Sequence, residues 1–258
     1  MHPNPETVFA KRAIIKVPQI TIAFWVIKIL TTGMGETTSD FLVRTLDPPP
    51  TVAAAGGLLL AALAAQILSP RYSSWLYWMT VVLVSIFGTM VADVIHVFLG
   101  VPYAISTVAF ALSLGAILFL WKRSEGTLSI HSVSTRRREL YYWATILLTF
   151  ALGTAVGDLT AATLGFGYLL SGILFVAMFA IPFIARRAGG IGEVGAFWTS
   201  YILTRPLGAS FADWMGVSKA RGGLDWGTGW VSLALGLAIV STIAWLKYVR
   251  PAVPSERI

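Results

Sequence analysis

Four aspartates carry the first suggestion of chemistry in this sequence. Asp40, Asp93, Asp158 and Asp213 each close a stretch of one form: FWVIKILTTGMGETTSD, YWMTVVLVSIFGTMVAD, YWATILLTFALGTAVGD and FWTSYILTRPLGASFAD. All fit aromatic-Trp-x9-Gly-x4-Asp without a gap. Composition alone predicts about 0.02 chance matches, so the frame is duplicated. Aspartate inside hydrocarbon costs about 2.5–3.5 kcal/mol on insertion scales, yet four of the six aspartates occupy this one position. Carboxylates gathered from four copies offer oxygen ligands for a hard cation, or exchangeable protons. The plain structural alternative is a carboxylate at the outer membrane boundary. At 1.5 Å per residue each Asp lies roughly 27 Å or more along a ~30 Å core.

The remaining ionisable residues of the apolar stretches sit in the same frames. Lys28 and Glu36 belong to the first copy, Arg205 to the fourth, and His96 follows Asp93 by three residues. Lys28, Glu36 and Asp40 are spaced eight and four apart, hence along one helix face. Two cations against five carboxylates leave a formal charge of −3 with His96 neutral. Such a charge in low dielectric must be offset by bound protons, a bound cation, or both. Lys28 and Arg205 are expected to pair with carboxylates on facing helices, with Asp40 and Asp213 staying ionised beside them. Asp93 and Asp158 then remain as the proton-exchanging pair and the candidate metal ligands, with Glu36 and His96 nearby. Thr37, Thr38, Ser39, Thr89, Thr154 and Ser210 extend the oxygen set. Hard ligands favour protons, Mn²⁺ or Mg²⁺ and disfavour Cu(I).

These residues need elements to position them, and composition says which. Of 258 residues, 56% are hydrophobic and 12% charged, and the mean hydropathy is +0.75. Soluble domains carry about 25% charged residues. Apolar runs long enough to cross a bilayer recur along the chain, and eight can be read: about 17–43, 51–68, 75–98, 102–121, 140–163, 168–184, 195–215 and 228–246. The fold class expected is an all-α integral membrane protein, a single transmembrane domain over 1–258 in contact with the lipid bilayer. The N-terminal stretch shows no cleavable signal pattern.

Connections between runs alternate in charge. One side collects 14 basic residues: Lys11, Arg12, Lys16, Arg71, Lys122, Arg123, Arg136, Arg137, Arg138, Arg186, Arg187, Lys247, Arg250 and Arg257. The other side has Arg44, Lys219 and Arg221. Excess Lys and Arg stay cytoplasmic, which predicts both termini inside. That placement also accounts for the net charge of +7 without a nucleic-acid partner. Residues 122–139 are expected to form a solvated cytoplasmic linker between two four-helix halves.

Each copy is a two-span unit, over about 17–70, 71–121, 136–187 and 191–248, so the four motif helices run the same way as parallel repeats. Gly35, Gly88, Gly153 and Gly208 open small-xxx-small steps that let helices approach closely. They predict motif helices packed around one axis, with the even spans outside. Trp25, Trp78, Trp143 and Trp198 stand near the helix starts, where indoles anchor at the interface. Gly100 and Gly165 suit helix stops with tight outer turns before Tyr103 and Tyr168. Pro206 predicts a kink inside the seventh span.

The four tryptophan-bearing frames resemble a family of bacterial membrane proteins built from four tandem two-span repeats, catalogued as a repeat of unknown function. The resemblance covers almost the whole chain and implies the cytoplasmic membrane, but no activity. From the residues, the leading expectation is a secondary transporter of a small cation, without a certain cofactor. A proton-coupled carrier of a small organic solute is the alternative, with Lys28 and Arg205 binding an anionic group. A structural or sensory membrane protein also fits. No HExxH, GxSxG or His-rich run points to an enzyme.

Overall fold

The structure, a computed structural model, describes residues 15–248. Lys11, Arg12, Arg250 and Arg257 of the basic set lie outside them. Eight α-helices make up the described fold: α1 (Ile22–Thr45), α2 (Pro48–Leu68), α3 (Ser74–Asp93), α4 (Tyr103–Glu125), α5 (Arg136–Asp158), α6 (Gly167–Arg187), α7 (Glu193–Gly216) and α8 (Thr228–Tyr248). No strand occurs among the described residues. Local signals set the helix ends. The Thr21 hydroxyl accepts from the Phe24 N–H at 3.3 Å, and Thr135 does the same for Arg138 at 3.3 Å, satisfying donors that a helix start leaves open. Pro48 sits at the first turn of α2, where a missing N–H costs nothing.

Six helices (α2 to α6 and α8, with α3 and α5 counted through their last turns) are long and apolar enough to cross a membrane. Large side chains such as Leu58, Leu60, Leu112 and Ile184 are exposed on them. Apolar surface on that scale belongs in lipid, and the chain has the pattern of a multi-pass membrane protein. The other two, α1 and α7, carry the most polar motif stretches. Both are enclosed by neighbours: α1 by α3, α7 and α8, and α7 by α1, α5 and α6.

The motif helices α1, α3, α5 and α7 form a closed ring, each packed against the next and α7 against α1. The outer helices do not chiefly cover their own partners. Instead α2 packs on α3, α4 on α5, α6 on α7 and α8 on α1. Each two-helix unit therefore completes its burial on the following unit, and the last closes on the first.

Two cyclic sets of contacts show why the motif is repeated. At the tryptophan end, the aromatic residue opening each copy meets the tryptophan of the next. The pairs are Phe24–Trp78 (5.6 Å between ring centres), Tyr77–Trp143 (5.6 Å), Tyr142–Trp198 (6.3 Å) and Phe197–Trp25 (5.8 Å). The expected interface anchors pack between copies instead: Trp78, Trp143 and Trp198 are buried. Closing a ring of four helices buries more aromatic surface between copies than an interfacial position would, at about 25 cal/mol per Å².

Further along, each motif glycine receives the side chain three positions earlier in the next copy's frame. A Cβ on Gly35 would overlap Ser85, and one on Gly153 would overlap Arg205. One on Gly208 would overlap Thr32, and one on Gly88 would lie 2.9 Å from Cβ of Phe150. The seam is thus knob-into-glycine, running once around the ring.

The connection between the halves also differs from expectation. Residues 126–135 include a 3₁₀ turn, Ile130–Ser132, and Ile130 and Val133 are buried in the aromatic core. The Trp198 indole donates to the Leu128 carbonyl at 2.9 Å. Instead of a solvated linker, the segment covers the tryptophan end of the ring.

Candidate functional site

The four repeat aspartates come together. Asp40, Asp93, Asp158 and Asp213, with Glu36, line one cavity of about 370 Å³ at the aspartate end of the ring. Two features of the sequence shape its mouth. Beyond Asp93 and Asp158 the helices widen into π-helical turns, Val94–Phe98 and Leu159–Thr163. Gly100 and Gly165, with φ of 65° and 72°, end these turns, a conformation that costs a Cβ-bearing residue steric energy. The first of these turns brings Val94, Val97 and Phe98 into the wall. Copies one and four lack this extension, and their ends supply cations instead. Arg44 bonds Asp40 at 2.5 Å. Arg221, in the turn before α8, donates to the Tyr168 hydroxyl at 2.6 Å. Burial works against the Arg221 charge, but Tyr168, Asp40 and Asp213 outweigh it and raise its pKa above the ordinary value.

Glu36 forms the floor, and what holds it explains the charge of the fourth copy. Glu36, Thr89, Thr154 and Ala209 occupy the position after the glycine in the four copies. The first three supply oxygens, and the fourth leaves room for Arg205, one turn earlier on the same helix. One Arg205 amino group donates to Oε2 of Glu36, to Oγ1 of Thr89 and to Oγ1 of Thr154, the last at 2.7 Å. Its other amino group donates to the Thr32 carbonyl at 3.3 Å. The guanidinium is fully buried at the ring centre. A buried charge pair holds only with such added hydrogen bonds. The neighbouring Pro206 lies inside α7, against Gly153.

Beneath this pair lies the second buried cation. Nζ of Lys28 stands 4.0 Å from the Phe150 ring centre and 4.3 Å from that of Tyr201. It has no hydrogen-bond partner among the described residues. The expectation of a carboxylate partner on a facing helix for Lys28 is corrected: the neighbours of its Nζ on those helices are the Phe150 and Tyr201 rings, and Glu36 is engaged by Arg205. Arg205 does pair with a carboxylate on a facing motif helix, as expected, and that carboxylate is Glu36. Deeper still, the Tyr77 and Tyr142 hydroxyls meet each other, and the aromatic belt follows.

His96 is not among the residues lining the cavity. Its ring lies tilted against Tyr103, 4.2 Å between ring centres, and is 3.3 Å from both the Val101 carbonyl and the Ser106 hydroxyl. One turn beyond Asp93 in a π-helical segment, its ring faces the start of α4 and braces the outer turn. Asp93 and Asp158, the expected metal ligands, both line the cavity. No three His, Cys, Asp or Glu side chains among the described residues could hold one metal ion, because the carboxylates are spread around a wall.

A second polar cluster escaped sequence reasoning. Glu139, at the end of the segment expected to be a solvated linker, is buried at the start of α5 and bonds Lys16 at 2.8 Å and Gln66 at 3.4 Å. Lys16 also donates to the Ile67 carbonyl at 3.0 Å. The signal was Gln66, a lone amide near the end of an apolar run, which must find a partner.

Comparison with curated proteins and with solved structures found no match. A family model does match, four times in tandem, at residues 23–72, 76–127, 141–188 and 196–251. Each match takes in one copy of the frame together with its outer helix. The chain belongs to the family described as Repeat of Unknown Function (DUF347).

Proposed function

We propose that this protein is a secondary transporter of a small cation, working through the carboxylate cavity that the four repeats share. The observation that carries the reading is convergence: one aspartate from each copy and Glu36 line a single cavity. Arg205 is engaged by Glu36 and Lys28 is enclosed by rings. Neither cation is free to receive an anionic solute, which favours a cation as cargo.

On this reading all eight helices cross the bacterial cytoplasmic membrane, with both termini inside. The two polar helices, α1 and α7, have 24 residues each, about 36 Å at helical rise, and Lys28, Glu36, Arg205 and Asp213 on them are buried. Basic residues at the tryptophan end favour that end as cytoplasmic, so the cavity opens outward. The Arg205–Glu36 pair, Phe150, the tyrosines and the aromatic belt then form the inner seal. Release of cargo inward requires that seal to part, and proton binding by the aspartates supplies the coupling.

Flux into proteoliposomes under an imposed cation gradient, read with a pH-sensitive dye, tests the reading. Asp93→Asn and Asp158→Asn are expected to lower flux at least tenfold while the protein stays folded. Unchanged flux and pH response in both variants would mean that the carboxylates are structural.

A further inference from the structure

The cavity distinguishes between kinds of cation. It is about 370 Å³ in volume, within the 300–1,000 Å³ range of organic-ligand pockets and far larger than a dehydrated ion needs. Its carboxylates stand on four different helices, and no three acidic or imidazole groups among the described residues converge on one point. Dehydrated Mg²⁺ or Ca²⁺ requires several oxygens around one centre. Charge is nevertheless demanded. Five carboxylates face two rim guanidiniums, Arg44 and Arg221, and the Arg205 guanidinium at the floor, a formal excess of two negative charges. Asp213 is only 7% exposed and has no side-chain hydrogen bond among the described residues, yet it lines the cavity. Glu36 is 5% exposed, and only its Oε2 is engaged. These are buried acceptors turned toward the same space. Between them the wall is apolar and aromatic, with Met90, Val97, Phe98 and Tyr103. The protein's own buried guanidinium, Arg205, is likewise held by oxygen acceptors from several helices.

We propose that the cavity binds an aliphatic diamine or polyamine, its ammonium groups on carboxylates of separate helices and its methylene chain against the apolar wall. The proposal rests on the cation-carrier reading for its biological sense, but the binding site stands on the geometry alone. Two charges set apart along a flexible chain match carboxylates of which no three converge on one ion. Ammonium groups also gain from aromatic neighbours, which a hydrated metal does not need.

Binding to the full-length protein in detergent separates the possibilities, using 1,4-diaminobutane, butylamine, MgCl₂ and MnCl₂ as probes. Calorimetry and thermal shift should show saturable binding of 1,4-diaminobutane and at least tenfold weaker binding of butylamine. Asp213→Asn should weaken the diamine about tenfold, as loss of a charge-assisted hydrogen bond does. An unchanged gel-filtration profile identifies variants that remain folded. If Asp213→Asn fails that check, Asp158→Asn serves in its place. Saturable Mg²⁺ or Mn²⁺ binding tighter than the diamine, or no diamine binding, overturns the proposal. Diamine binding without flux in liposomes would retain the site and remove the transport reading. Metal binding with metal flux would do the reverse.

Discussion

At the residue scale, the two buried cations show that charge in this fold is handled in two ways. Arg205 is matched by oxygens from three other repeats, and Lys28 is lodged against aromatic rings with no acceptor among the described residues. Removing one member of a buried ion pair leaves the other stranded, at about 3–5 kcal/mol. Glu36→Gln is therefore expected to lower unfolding stability in detergent by that amount. The double variant Glu36→Gln with Arg205→Met should recover a large part, since no uncompensated charge remains. Strict additivity of the two losses would show that the pair is not coupled.

At the element scale, the repeated glycine is what permits the ring. Each copy inserts a side chain over the preceding copy's glycine, so helix approach is set four times by one device. Gly35→Ala and Gly153→Ala should each destabilise the protein, because the added methyl overlaps Ser85 or Arg205. Overpacking of this kind costs about 1–3 kcal/mol. Gly57, on the outer helix α2, has open space where a methyl would go, with no atom within 4 Å. Gly57→Ala should be neutral or stabilise by up to about 1 kcal/mol through helix propensity. Opposite signs for the two classes, measured by thermal unfolding in one detergent, check the seam. Equal effects would mean that the ring packs otherwise.

At the scale of the whole molecule, the cyclic packing of α2 on α3 through α8 on α1 makes four tandem units one closed body. An odd or missing unit would leave a motif helix uncovered and the cavity without a wall. The orientation we propose is testable on the native architecture, because the chain has no cysteine. Ala188→Cys, in the exposed turn after α6, and Ala220→Cys, in the exposed turn before α8, lie at opposite ends. A membrane-impermeant maleimide should label Ala220→Cys on intact cells and Ala188→Cys only after permeabilisation. Labelling of both from one side would refute the eight-span topology.

The sequence alone determined much of this protein. Gap-free repetition of aromatic-Trp-x9-Gly-x4-Asp established four copies, and apolar run lengths set the helices, because both are local and periodic properties. The gathering of four aspartates and the packing role of the glycines could be anticipated, since duplicated helices running the same way bring equivalent positions to equivalent places. Tertiary structure alone decided the partners. Arg205 takes Glu36 in preference to Asp213, and Lys28 takes Phe150 and Tyr201, because side-chain reach across the ring exceeds anything legible along one helix. Likewise the tryptophans close a belt between copies, and residues 126–135 cover it. Burial there depends on which helix comes next around the ring, and one-dimensional patterning carries no such information.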